Sequence, residues 1–320
     1  LIIAMDNQGT HVTAENAVRG KDYYCPVCTS RLTLKRGTIK APHFSHLHII
    51  DCIKYLYKRE SPAHLELKAV LFSALQPHHQ TAIEFYLQEI EQIADLLVNK
   101  NRALEIQLSQ ISPALIARRT KGYASLGIET IWLLDTATIK HDASYMYPTH
   151  FQLSTQSAHK IYTMDLKSHH ITVFHIGNHM GCGRFKYKKE QLTPEDLVTG
   201  MPAPIPITNK KLSRHEMKTI IQREKRQWTV QNPTLTFLYQ TGLTMDTLPL
   251  YLTYSTPNDR YLMNSPLEWK LFIYYHLEAG TFNKAGFQQM LKPRIMFDCP
   301  DIGTLSNRLI EEYIMLYNSQ

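Results

Sequence analysis

Alternating apolar and polar positions dominate the first half of the chain. LIIAM (1–5) and THVTA (10–14) are β-rich and flank the turn residues DNQG, so residues 1–15 read as a hairpin. TAIEFYLQ (81–88), QIADLLV (92–98) and RALEIQLS (102–109) alternate as half-buried strands do. NKN (99–101) between the last two predicts a tight turn, and so a second hairpin. Elsewhere the period becomes helical. Ser61-Pro62 supplies an N-cap and a first-turn proline for a helix to about Leu75, with Leu65, Val70, Leu71, Phe72 and Leu75 apolar. Ser112-Pro113 opens another, SPALIARRTKGYASLG, closed by Gly127, and ETIWLLD (129–135) is a short apolar strand. The order is therefore helix, strand, strand, strand, helix, strand. A further hairpin is predicted over 160–177.

From about residue 190 the pattern turns helical, in PEDLVTG, 209–228, 265–280 and 304–319, with the Pro-rich linker MPAPIPIT at 201–208. No internal repeat is present. The expected architecture is α/β (α+β): a small N-terminal β module over 1–55, a central domain over 56–180 and a mainly helical C-terminal domain over 181–320.

Composition narrows the class. The 320 residues are 43% hydrophobic and 20% charged, as in a water-soluble globular protein, and no apolar run is long enough to span a membrane. The apolar start LIIAM has no basic region before it and no cleavage site, so it reads as a first strand rather than a signal peptide. A net charge of +7 suits a polyanionic partner. The charge is concentrated in GRFKYKKE (183–190) and NKKLSRHEMKTIIQREKRQW (209–228), which equally fit solvated surface. Five cysteines (25, 28, 52, 182 and 299) with one close pair are not a disulfide framework, and they point to a reducing cytoplasm.

Two groups of residues carry candidate chemistry. In YYCPVCTSRLTLKRGTIKAPHFSH (23–46), Cys25 and Cys28 form one close pair and His43 and His46 another, fourteen residues on. Four ligands of these types suit a closed, structural zinc site, with TLKRGTIK as a hairpin bringing the pairs together. The alternative is a buried Cys pair beside a His-rich loop. His48 and Cys52 are spare ligands. The second group is carboxylate. With the turn at 99–101, Asp95 and Glu105 fall nearly opposite one another in otherwise apolar runs. Burying two carboxylates together is costly without a cation, which argues for magnesium or manganese, hard ions that take oxygen ligands. The alternative places both on exposed polar faces. Glu84 is a candidate third acid, and His64, Glu66 and Lys68 lie on the preceding helix.

At these residues the chain resembles a known family. The element order with Asp95 and Glu105-x-Gln107 looks like the PD-(D/E)XK, or restriction-endonuclease-like, core. More narrowly, YCPVC with KRGTIKAPHFSH, RESPAHLELK, IADLLVNKNRALEIQLSQIS and RTKGYASLGIETIWLLD resemble the competence protein CoiA-like family over roughly residues 1–135. The resemblance implies a cytoplasmic protein of competent Gram-positive bacteria. It would act on incoming DNA, single-stranded or branched, near the recombinase step and with other competence proteins. Asp95, Glu105 and Gln107 fall on the nuclease motif, and Cys25, Cys28, His43 and His46 on the zinc motif. Gln92 stands where the family often has Arg.

Gln107 brings no charge where the general motif has lysine, so Lys68, Arg118, Arg119 or Lys121 are the candidate replacement cations. Arg119 and Tyr123, four apart, share a helix face and are candidates, with Arg118 and Lys121, for contact with a DNA backbone. A solvated Arg pair and a core Tyr123 are the alternative. Three functions follow: a metal-dependent nuclease; a DNA-binding or recombinase-loading accessory with weak or no cleavage; and a zinc adapter for protein partners. In the C-terminal part Trp228, Phe237, Tyr239, Trp269, Tyr274 and Tyr275 are either core or base-stacking residues.

Overall fold

Local capping chemistry starts the two helices that frame the central domain. In the computed structural model, which describes residues 2–26, 28–37, 42–46, 61–200, 202–203, 205–226 and 232–319, the Ser61 side chain accepts from the His64 amide to begin α1 (Pro62–Leu75). Ser112 does the same for Leu115 at the start of α2 (Pro113–Ser125). Between them lie β6 (Thr81–Leu87), β7 (Gln92–Val98) and β8 (Arg102–Ile106), and β9 (Glu129–Asp135) follows α2. Asn99 and Lys100 take left-handed backbone angles, which closes the β7–β8 hairpin where NKN predicted a turn. β8 stops three residues earlier than alternation suggested. Gln107 still donates its amide to the Leu133 carbonyl, but the strand pairing has ended.

These strands belong to a seven-stranded mixed sheet with β10 (Lys160–Met164), β11 (Ile171–His179) and β12 (Phe185–Leu192), in the order β12-β11-β10-β9-β8-β7-β6. β6, β7 and β8 pair antiparallel, whereas β8, β9 and β10 pair parallel. Alternation sorts the side chains by face. Leu96, Val98, Leu104 and Ile106 pack with Leu67, Leu71 and Leu75 of α1, whereas Leu97 and Ala103 pack with Tyr123 of α2. Two helices therefore cover opposite faces of the same strands, and each reaches a different carboxylate.

The N-terminal sheet has five strands in the order β2-β1-β3-β4-β5. They are β1 (Ile3–Met5), β2 (His11–Thr13), β3 (Tyr23–Tyr24), β4 (Arg31–Lys35) and β5 (His43–His46), and Ala4, Tyr23, Cys25, Leu32 and Phe44 form their core. The chain divides into two units. The first comprises Leu1–Thr138, Ile161–Val173 and Glu190–Ala203; the second comprises Ile139–Lys160, Phe174–Lys189 and Pro204–Gln320. The second unit holds α3 (His150–Ser154), α4 (Arg214–Arg226), α5 (Pro233–Gln240), α6 (Pro266–Glu278), α7 (Lys284–Met290) and α8 (Ile302–Asn318). Trp269 and Phe272 lie in its core. Trp269 is thus a packing residue, Tyr239 is exposed, and Trp228 lies outside the described residues. Among the described residues no helix is long and apolar enough to cross a membrane.

Candidate nuclease-like site and Cys/His group

The β7–β8 ladder ends at the pair Leu96–Leu104, and Asp95 and Glu105 are the residues just beyond it on the two strands. The β6–β7 register pairs Ile83 with Leu96 and Phe85 with Ala94, which sets Glu84 against Asp95. Three acids thus stand in a row across three strands, all buried. Burial of this kind is expensive unless each carboxylate is met by a donor or a cation.

The protein meets them from both faces. On α1, the Lys68 ammonium donates to Glu84 Oε1 at 2.7 Å and lies 3.5 Å from Asp95 Oδ1. His64 Nε2 is 3.1 Å from Asp95 Oδ2, which also accepts the Ile106 amide at 2.9 Å. Asp95 has therefore replaced a main-chain acceptor where the ladder ends. On α2, Arg119 donates to Glu105 Oε1 at 2.7 Å, and the Tyr123 hydroxyl donates to the same oxygen. Arg119 also donates to the Ile93 carbonyl at 3.1 Å, and its guanidinium lies 5.1 Å from the centre of the Trp132 ring. Glu84 itself sits at φ +54°, in the left-handed region that a non-glycine strand residue rarely adopts. Its Oε2 accepts the Ile2 amide at 3.0 Å.

The two central acids are driven in opposite directions. Burial works to raise both. For Asp95 the charges of Lys68 and His64 and the bonds from His64 and Ile106 outweigh it, holding the carboxyl well below the usual range. For Glu105 burial wins, reinforced by the Asp95 charge and only partly offset by Arg119 and Tyr123, so its carboxyl is raised.

Several residues singled out in the sequence stand elsewhere. Gln107 turns its side-chain amide to the Ser109 carbonyl at 2.6 Å. Arg118 and Lys121 are exposed on α2, whereas Arg119 and Tyr123 are buried against Glu105. The signal for that split was present: Ile116, Arg119, Thr120 and Tyr123 follow the i, i+3, i+4, i+7 spacing of an inward stripe. Gln92 packs against α2 at Gly122, where a Cβ would collide with its Nε2. The Ile106 amide and Trp132, both in contact with the site, left no signal in the sequence beyond apolar alternation.

In the N-terminal sheet the Cys25–Cys28 turn follows β3, with the Thr29 amide donating to the Cys25 carbonyl at 2.9 Å. The β4–β5 register pairs Leu32 with His46 and Lys35 with His43. Donor atoms of Cys25, Cys28 and His46 all lie within 4.8 Å of one another, with Cys28 Sγ 3.3 Å from His46 Nε2. Sulfur and nitrogen bound to one tetrahedral zinc would stand about 3.5 Å apart, so this group can hold a metal ion. His43 does not join it. HFSH is a strand rather than a turn, so His43 lies three residues, roughly 10 Å, along β5 and on its other face. His48 and Cys52 lie outside the described residues.

Comparison with known proteins bears on both groups at once. The family model for the competence protein CoiA nuclease-like domain matches residues 60–189, and the one for the CoiA N-terminal domain matches residues 7–54. The chain belongs to the CoiA family. The first match takes in Glu84, Asp95 and Glu105, and the second takes in Cys25, Cys28 and His46. Competence protein CoiA of Bacillus subtilis (strain 168) is 33% identical over 142 residues, 43% of this chain and 37% of that protein. The chain thus matches well under two thirds of that CoiA relative. No solved structure matches.

Proposed function

We propose that this CoiA-family chain is a cytoplasmic, competence-associated DNA-processing protein that hydrolyses phosphodiesters of incoming DNA during transformation and recombination. The observation that carries the reading is that buried Asp95 and Glu105 stand next to the last β7–β8 pair, Leu96 with Leu104, inside the stretch that matches the nuclease-like domain. This supports a PD-(D/E)XK core of the restriction-endonuclease type. Asp95 and Glu105 would hold magnesium or manganese. Magnesium suits a pair of carboxylates, since it keeps several waters and takes one or two carboxylates. Such an ion would supply charge stabilisation at the phosphate and acidify a bound water.

The chain's own groups would do the rest. Lys68 and His64 keep Asp95 ionised. Lys68 supplies the fixed positive charge that Gln107 cannot, a support for the replacement-cation reading. Glu84 positions Lys68. Arg119 and Tyr123 orient Glu105, while Arg118 and Lys121, exposed on α2, would contact phosphates. In the N-terminal module, Cys25, Cys28 and His46 would hold a structural zinc with a fourth donor, for which His48 and Cys52 are the sequence candidates.

A second reading, a DNA-binding or recombinase-loading accessory that cleaves weakly or not at all, is favoured by one specific feature. Glu105 already accepts from a buried arginine at 2.7 Å, which competes with a metal for the carboxylate. A cleavage assay on single- and double-stranded DNA with magnesium or manganese separates the two. Wild type should cut, and Asp95→Ala and Glu105→Ala should each lose cleavage by about 100-fold or more. Equal cutting by either variant overturns the site. Persistent, salt-sensitive binding without cutting by wild type selects the accessory.

A further inference from the structure

On its sequence the basic stretch in the second unit fits solvated surface or a phosphate track, and α4 separates these alternatives. Ordinary surface helices intersperse acids and bases, which neutralise one another at i, i+4 spacing. α4 instead segregates them. Both of its acids point inward. Glu216 accepts from the Tyr145 hydroxyl at 2.5 Å and from the Ser213 amide at 2.7 Å. Glu224 accepts from Asn232 at 2.5 Å. Met217 and Ile220 complete the buried side.

The cations point outward. Arg214, Lys218 and Lys225 fall within a strip about 40° wide at 100° per residue, with Arg226 about 80° further round on the same outward half, and all four are exposed. The strip spans roughly 16 Å along the helix. Arg214 is paired with Asp246 at 2.5 Å. Among the described residues Lys218, Lys225 and Arg226 have no carboxylate within 4 Å. Lys186, 4.0 Å from the centre of the Tyr145 ring that also holds Glu216, adds charge beside the first turn, and Lys188 and Lys189 follow it on β12. Removing the acids from the surface leaves a line of like charge that costs self-repulsion and is relieved by a polyanion.

We propose that the outward face of α4, with Lys218, Lys225 and Arg226 at its centre, binds the phosphate backbone of DNA independently of the carboxylate site. The inference rests on DNA being the substrate, as proposed above, but not on cleavage. Its chemistry is that of backbone tracking rather than base readout: point charges on an exposed helix.

The test is fluorescence anisotropy of the whole chain with a labelled single-stranded oligonucleotide over a salt series. Wild type is compared with the triple variant Lys218→Gln, Lys225→Gln, Arg226→Gln and with a control, Lys284→Gln with Lys292→Gln. Glutamine keeps helix propensity, and circular dichroism and thermal melting check that each variant folds. Losing three phosphate contacts should lower the slope of log affinity against log salt by about 2 and weaken binding at low salt by tenfold or more, with the control unchanged. An unchanged slope in a folded triple variant, or an equal loss in the control, overturns the inference while leaving the DNA-processing reading intact. Wild type that binds no DNA at any salt overturns both. Tighter wild-type binding to phosphatidylserine vesicles than to the oligonucleotide overturns the choice of DNA.

Discussion

The Cys/His group and the carboxylate row are both places where the chain gathers metal-type donors, but they solve different problems. The carboxylate row brings its own cations: Lys68 between Glu84 and Asp95, and Arg119 on Glu105. Those ion pairs let the acids be buried before any metal arrives. The Cys/His group brings together three neutral or anionic donors, where a bound metal would supply the binding energy that holds a small sheet closed. A small module with a short core depends on such a staple far more than a seven-stranded sheet does. On the proposed reading, metal at the first group would serve folding and at the second chemistry.

That contrast can be broken in several ways. The largest effect should come from zinc removal. Chelation, or Cys28→Ser, should expose the N-terminal module to limited proteolysis while the central sheet keeps its melting transition, and metal analysis should fall from one zinc per chain to none. A metal-free wild type that resists proteolysis would break the comparison at its first term. Next comes Lys68→Met, which leaves Glu84 and Asp95 buried without their shared cation. It should destabilise the folded state by about 3–5 kcal/mol in urea unfolding, with no change in zinc content. A loss under about 1 kcal/mol would mean the acids are not relying on Lys68.

A pH effect sharpens the second term. Burial and Asp95 raise Glu105, and a divalent ion must displace its proton. Manganese affinity should therefore climb as pH rises through the raised value and level off above it, while Asp95, held low, stays ionised throughout. Glu105→Gln should flatten this profile, and an unchanged profile in that variant would reassign the titrating group. The smallest effect is expected of Gln107→Lys. Its side chain points to Ser109 rather than to the acids, so cleavage should change by no more than about threefold. A large rescue would show that Lys68 does not fill the lysine's place.

Much of this was legible in the sequence where local chemistry decides. The Ser-Pro caps at 61–62 and 112–113 and the NKN turn set two helices and a hairpin, and that hairpin brings Asp95 and Glu105 to the end of the β7–β8 ladder. What stayed hidden depends on which side a residue faces once a helix docks. Spacing puts Arg119 and Tyr123 on one face, which they share, but the face is the buried one. Spacing also suggests His43 and His46 as a turn pair, and the strand they form separates them. The segregation of α4 was hidden for the same reason, since RHEMKTIIQREKR looks evenly mixed until Glu216 and Glu224 turn inward.

The bond from the Ile106 amide to Asp95 has a consequence for recognising relatives. Asp95 finishes the hydrogen bonding of a strand end as well as facing the site, so a descendant that had stopped cutting DNA would still be selected to keep it. Glu105 carries no such second duty; buried and raised, it is a burden that Arg119 and Tyr123 only partly relieve. In a lineage without the chemistry, Glu105 should drift while the aspartate persists. If the proposed chemistry holds, Glu105 rather than the aspartate is the residue to compare between cutting and non-cutting relatives.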